Sequence, residues 1–261
     1  MARSTSLPAL REVWASRSSK TFSKNKSMQI TPIKTRIFRE NEDLLAFILT
    51  YIKKISENSI LVVTSKIVAL SEGRFVDYKN KKQKISLIKK ESSFAIKTKY
   101  TWLTIKDGVV MSSAGVDESN ANDKIVLLPK NSFKAAHFIR EKLRRKYKIK
   151  NLGILITDSR SMPLRAGVIG VALGYAGFKG IRDYRGSKDI FGRVLKMSRT
   201  DVGDGLATAA VLCMGEGKEQ QPLAVIIDAP VKFTEKINKK ELLIDPKEDL
   251  YMPLFESILK K

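Results

Sequence analysis

The reading turns on LGILITDSRSMPLRAGVIGVALGYAGFKGIRDYRGSKDIFGRVL, residues 152–195, and on DVGDGLATAAVLCMGEG, residues 201–217. Acidic and hydroxyl side chains stand at the ends of its apolar segments, and glycine-rich turns separate them. The apolar run closing on Asp158 and Ser159 reads as a buried strand that delivers two oxygen donors to its exposed tip, a frequent place for metal and phosphate chemistry. The spacing of Gly167, Gly170, Gly174 and Gly177 matches neither the Walker nor the dinucleotide fingerprint, which argues against standard nucleotide folds. These glycines either let backbones approach closely or expose N–H groups to an anion. The polar stretch that follows, residues 182–189, reads as a substrate-facing loop or as a surface loop of ion pairs.

Working outward, 261 residues with 43% hydrophobic content suffice for a real core and exclude a disordered chain. The longest weakly polar run, residues 166–178, is too short for a bilayer and is interrupted by glycine. A single cysteine, Cys213 in an apolar segment, rules out an internal disulfide and fits a reducing compartment, with the cytoplasm as the default. The net charge of +22 admits a nucleic acid, an anionic substrate or a lysine-rich background. Its densest run, KLRRKYKIK at residues 142–150, ends an expected helix, where each cation is favourable by about 0.3–1 kcal/mol. Nucleic-acid binding calls for interleaved aromatics, and Tyr147 stands alone there.

Residues 1–27 are rich in Ser, Arg and Lys and show no apolar period. Met28 as the true first residue is favoured over a flexible tail or a transit peptide. One catalytic domain is expected over residues 28–261. Strands are expected over residues 29–34, Ser59–Thr64 and 73–78, with a hairpin over 102–111 turning at Lys106, Asp107 and Gly108. Residues 43–55 read as a helix begun by Glu42 and Asp43, residues 65–69 as a helical turn, and the segment up to Lys90 as basic helix or loop. The clearest helix covers residues 132–148, capped by Ser132, with Phe133, Ala136, Phe138, Ile139 and Leu143 on its buried face. An apolar helix over 206–214 and a core strand over Leu223–Ile227 complete the pattern.

Three clusters of oxygen donors recur beside turns: residues 114–120, 157–159 and 214–217. Carboxylates and hydroxyls are hard ligands, suited to Mg²⁺ or Mn²⁺, whereas zinc is offered only His137 and Cys213. Taken singly, each aspartate is as well explained by an Asx-turn or a cap.

Taken in order, VVTSKIVALSEGR, SAGVDESN, ITDSRSMPLRAGVIGVALG, DYRGSKDIFGR and GDGLATAAVLCMGEG resemble the coenzyme F420-0:L-glutamate ligase family, over residues 29–227. The resemblance implies an α+β, mixed-sheet γ-glutamyl ligase-like fold, neither Rossmann nor P-loop. It also implies a GTP-dependent, or alternatively ATP-dependent, divalent-metal ligase that forms γ-glutamyl amide bonds, and an intertwined homodimer with its cleft near the subunit interface. Carried over by position, Asp117, Asp158, Ser159 and Glu216 fall on metal ligands. Ser65, Lys66 and Asn120 fall on nucleotide contacts, and Gly215, Glu216 and Gly217 on the loop that closes over nucleotide and metal.

Two positions depart from the family pattern: Thr35, Arg36 and Ile37 replace a Gly-Leu-Pro turn, and Leu70 replaces a lysine. Lys66, one turn earlier on the same helical face, is expected to supply the missing charge. Lys66 and Arg165 are the expected catalytic cations, and Arg165, Asp183, Arg185 and Lys188 the expected substrate contacts, since a guanidinium grips carboxylate or phosphate in bidentate fashion. The expected partners are L-glutamate and an anionic acceptor of the F420-0 type, with no membrane. A folate-type acceptor and a non-catalytic, basic nucleic-acid-binding protein are the alternatives, and the latter would lose affinity steeply with salt.

Overall fold

The computed structural model describes residues 27–254; the expectations for residues 1–26 lie outside the described residues. A five-stranded mixed sheet runs in the order β1 (Gln29–Ile33), β12 (Leu223–Ile227), β2 (Ser59–Thr64), β8 (Leu152–Ser161) and β9 (Val168–Ala176). β2 and β8 are parallel, and the other neighbours are antiparallel. The fold is therefore α+β, as the resemblance implied, and not a doubly wound parallel sheet.

The continuous apolar run of β2 follows from burial on both faces. Leu61, Val63, Ile154 and Ile156 pack beneath α1 (Leu44–Tyr51), α2 (Ser65–Ser71) and α4 (Ser132–Tyr147). Ile60, Val62 and Leu155 face the opposite layer, where Leu206, Ala207 and Ala210 of α5 (Val202–Met214) cover them. Each Leu, Ile or Val among them contributes about 1.5–3 kcal/mol when fully buried. Two glycines of β9 permit this packing: a Cβ at Gly170 would lie 2.3 Å from the Ala207 carbonyl oxygen, and one at Gly174 2.5 Å from the Ser132 carbonyl carbon. Close approach is thus realised at Gly170 and Gly174, and again at Gly177, whereas a Cβ at Gly167 would meet nothing within 4 Å.

A second unit stands beside the sheet. It contains β3 (Phe75–Asp77) paired with β7 (Lys124–Val126), helix α3 (Lys81–Glu91), and a meander of β4 (Phe94–Lys97), β5 (Trp102–Lys106) and β6 (Val109–Ser112). The expected hairpin turns where predicted, with Asp107 at φ 52° and Gly108 at φ 77°, the left-handed pair that a two-residue turn requires. Farther along, β10 (Ile181–Asp183) and β11 (Arg199–Asp201) form the base of an arm.

Several expectations need correction. β8 does not end at Ser159 but continues to Ser161, because β9 still pairs with it there. Helix α1 stops at Tyr51 rather than Ile55, and Ile52 has left helical geometry at φ −97° and ψ 85°. Asn131, not Ser132, caps α4, its side chain accepting from the Lys134 N–H at 2.9 Å. Phe138, expected on the buried face, is 55% exposed, and Arg140, not expected there, is buried. Arg140 is accommodated because Leu152 O accepts from its Nε at 2.7 Å and Glu235 accepts from both terminal nitrogens. Strand β4 was not foreseen, and Cys213 lies exposed on α5.

Candidate active site

β2 ends at Thr64 and the chain turns directly into α2, whereas β8 continues for four residues past its last partner on β2. At this step Ser65 and Lys66 face the exposed edge of β8. Ser65 Oγ donates to Asp158 Oδ1 at 3.2 Å. Lys66 Nζ donates to Asp117 Oδ2 at 2.7 Å and to the Ser119 carbonyl at 2.6 Å. Because strand side chains alternate, Ser159 projects to the other face, where its hydroxyl bonds Glu216 just beyond α5. Asn120 Nδ2 donates to Gly217 O at 3.2 Å, joining the loop after β6 to the loop after α5.

The Asp117 loop is held in an uncommon conformation. Ser113 and Ala114 both take left-handed backbone angles, φ 50° and 53°, before Gly115 at φ 70°. The buried Thr104 hydroxyl fixes the turn, accepting from Ala114 N–H and donating to Met111 O, both at 2.7 Å. A Cβ at Gly115 would lie 2.5 Å from Leu128 Cγ, so the chain can turn here only with glycine. Asn120 is also left-handed, φ 49°, a conformation that asparagine tolerates.

The two aspartates respond oppositely to this setting. Burial pushes the Asp117 carboxyl up, but the Lys66 ammonium and the Ser119 N–H and hydroxyl outweigh it and hold it below the usual carboxylate range. Burial pushes Asp158 above that range, and the nearby charge of Asp117 adds to the rise. Asp158 is thus a desolvated carboxylate with too little positive charge beside it. Among the described residues, no three acidic, histidine or cysteine side chains stand together as a ready-made metal cage, and Glu216 turns to Ser159. The donors of Asp117, Asp158, Ser65 and Ser159 are all oxygen, which fits a hard divalent cation and not a soft one.

Ser65, Lys66, Asp117, Asn120, Asp158, Ser159, Glu216 and Gly217 are therefore brought together by four hydrogen-bonded links between segments distant in sequence. Gly215 caps α5 at φ 82° and starts the loop that carries Glu216. The expected substrate contacts lie elsewhere. Asp183 and Arg185 are exposed and pair with each other at 2.6 Å, Lys188 bridges to Val194 within the arm, and Arg165 is exposed in a turn closed on Met162. Among the described residues, no hydrogen bond or ion pair ties these four to the cluster. Arg160 is not among the expected site residues, and Ser119 enters there only as one oxygen donor of the 114–120 cluster. A period-two reading of β8 finds Arg160, which shares the face of Asp158.

Comparison with known proteins identifies the family. The family model described as F420-0:Gamma-glutamyl ligase matches residues 32–228, which takes in every member of the cluster. Coenzyme F420:L-glutamate ligase of Methanococcus maripaludis strain S2 is 36% identical, over 81% of this chain and 86% of its own. The protein of the same name from Methanocaldococcus jannaschii is 31% identical, over 86% of this chain and 96% of its own. That from Archaeoglobus fulgidus is 30% identical, over 73% and 83%. The chain belongs to the F420-0:gamma-glutamyl ligase family.

Proposed function

We propose that this protein is a nucleotide- and divalent-metal-dependent ligase that joins L-glutamate to a carboxyl group of an acidic acceptor of the coenzyme F420-0 type. The observation that carries the reading is the convergence of Lys66, Asp117, Asp158, Ser159 and Glu216 at the open edge of β8. A carboxylate does not accept an amine at neutral pH, so the acid must first be activated. In the proposed sequence an acceptor carboxylate oxygen attacks the γ-phosphorus, and the nucleoside diphosphate leaves with the electron pair of the broken P–O bond. The glutamate amine then attacks the acyl carbon; the C–O bond to phosphate breaks, phosphate departs, and the nitrogen loses a proton to give the amide.

Phosphoryl transfer asks little of a protein nucleophile and much of positioned charge. Mg²⁺ or Mn²⁺ held by Asp117, Asp158, Ser159 and Glu216 supplies charge neutralisation at the triphosphate. Lys66, already directed into the cluster, supports the same charge, and its bond to Asp117 keeps it extended toward the site. Asn120 and Gly217, bonded to each other, tie shut the loop pair proposed to cover the nucleotide. GTP is the expected nucleotide and ATP the alternative.

The arm supports a homodimer. Between β10 and β11, Ile190, Phe191 and Met197 are 91%, 88% and 86% exposed, and a second copy is the proposed cover for this apolar surface. No helix among the described residues is long and apolar enough to cross a membrane. The test is incubation of purified protein with Mn²⁺ or Mg²⁺, GTP or ATP, L-glutamate and F420-0 or folate acceptors, read by mass spectrometry. A glutamyl increment on F420-0 that requires both metal and nucleotide is expected, and its absence from every combination overturns the reading. Light scattering tests the dimer.

A further inference from the structure

A cavity of about 330 Å³ has a wall that includes Arg160, two residues beyond Asp158 on β8, together with Asp204, Lys106 and Phe133. Its cations are not equivalent. Lys106 is committed to Glu91 at 2.9 Å, and Lys130 and Lys239 are exposed at the margin. Arg160 is half-buried, and its Nε is fully shielded from solvent with no hydrogen-bond partner among the described residues. A buried donor without an acceptor is costly, and a bidentate oxyanion is what a guanidinium edge satisfies best.

We propose that Arg160 is a specificity-determining residue that grips the α-carboxylate of the amino-acid substrate inside this cavity. The inference rests on the ligase reading for the identity of that substrate, L-glutamate. Arg160 and Asp158 are two residues apart on one strand face, about 7 Å along β8. An α-carboxylate and its amine share one carbon, so holding the first at Arg160 directs the second toward the Asp158 end, where the activated acid is to be met. Apolar Phe133, Leu128 and Leu173 offer a lining for methylene groups, and Lys130 and Lys239 lie where a side-chain carboxylate can meet positive charge at the margin. Asp204, fixed by accepting from the Ala172 N–H at 2.8 Å, adds an anionic wall that repels a misoriented carboxylate.

The test is independent of turnover. L-Glutamate is titrated calorimetrically into the full-length protein and into its Arg160→Gln and Arg160→Lys variants, alongside the α-amide of glutamate and glutamine. Wild type is expected to bind glutamate and to discriminate against the α-amide. R160Q is expected to bind glutamate at least about tenfold more weakly and to lose that discrimination while still preferring glutamate to glutamine; R160K keeps the charge and falls between. Equal affinity in wild type and R160Q, no binding to wild type, or unchanged discrimination in R160Q overturns the inference. Should R160Q fail to fold, R160K decides by the same comparison. The ligation assay separates the two readings: amide formation by an enzyme indifferent to Arg160 sinks only this inference, whereas glutamate binding lost in R160Q without any ligation sinks only the activity.

Discussion

The two halves of β8 carry opposite duties on one continuous strand. From Leu152 to Thr157 its side chains are buried, and from Ile154 to Thr157 it lies between β2 and β9. From Asp158 to Ser161 only β9 remains, because β2 has ended, and the side chains become polar and partly exposed. A strand with partners on both edges has nowhere to place a charge. Once one partner turns away, the freed edge accepts side chains from other segments, here Ser65, Lys66 and the Asp117 loop. Chemistry sits where the sheet loses a neighbour, on a strand still held rigid by the other.

The sharpest way to test this division is to neutralise its first polar residue. Asp158→Asn keeps the shape and one hydrogen-bonding oxygen but removes the charge, and ligation is expected to fall about 10²–10³-fold. Because burial holds the Asp158 carboxyl above its ordinary range in the fold, the charged form is a liability to stability at neutral pH. The variant should therefore melt no lower than wild type. A parallel loss of melting temperature and activity would show that Asp158 belongs to the scaffold after all.

The converse substitution lies two residues upstream. Ile156 is fully buried in the layer under α4, and Ile156→Ala is expected to cost about 2–5 kcal/mol in urea unfolding. Activity per folded molecule at low temperature should remain close to wild type. A selective loss of glutamate or nucleotide affinity without loss of stability would erase the boundary drawn at Thr157.

Lys66 sharpens the comparison from the neighbouring element. With Asp117 and Ser119 as its partners, Lys66→Ala removes the cation nearest the carboxylates, and nucleotide KM is expected to rise about tenfold. Metal dependence should steepen as well, since Asp117 is then left without its internal counter-charge. An unchanged nucleotide KM would remove Lys66 from binding and leave it a purely structural tie.

Much of the scaffold was legible because periodicity and burial agree there: SILVVT and LAVII are strands with the bounds expected. The donors at the site were legible one by one, since hydroxyls and carboxylates beside glycine turns are locally conspicuous. Their convergence was not, because the link from Asn120 to Gly217 spans 97 positions and leaves no periodic trace. The family resemblance supplied that convergence instead. The stretch around Arg185 reads in sequence as either a substrate-facing loop or a loop of surface ion pairs, and in the structure Asp183 and Arg185, alternate in sequence, pair with each other locally. Arg140 escaped notice because a buried guanidinium needs acceptors, here Leu152 and Glu235, that lie outside its own helix.

The smallest effect concerns the entry to α5. Asp201 caps this helix, its side chain accepting from the Asp204 N–H at 2.8 Å, yet burial together with the Asp204 charge raises its carboxyl to about 6. An acid whose folded value stands above its unfolded value binds the proton more tightly in the fold. Stability from this group therefore grows as pH falls from about 7 toward the ordinary aspartate range, and is withheld at neutral pH. Asp201→Asn keeps a side-chain oxygen for the cap and deletes the charge, so it is expected to stabilise the protein by about 1 kcal/mol at pH 7 and by almost nothing at pH 4. Melting curves at the two pH values check this. A gain of equal size at both would mean that the charge of Asp201 is already neutralised by a partner, and that α5 is anchored as independently of pH as the buried half of β8.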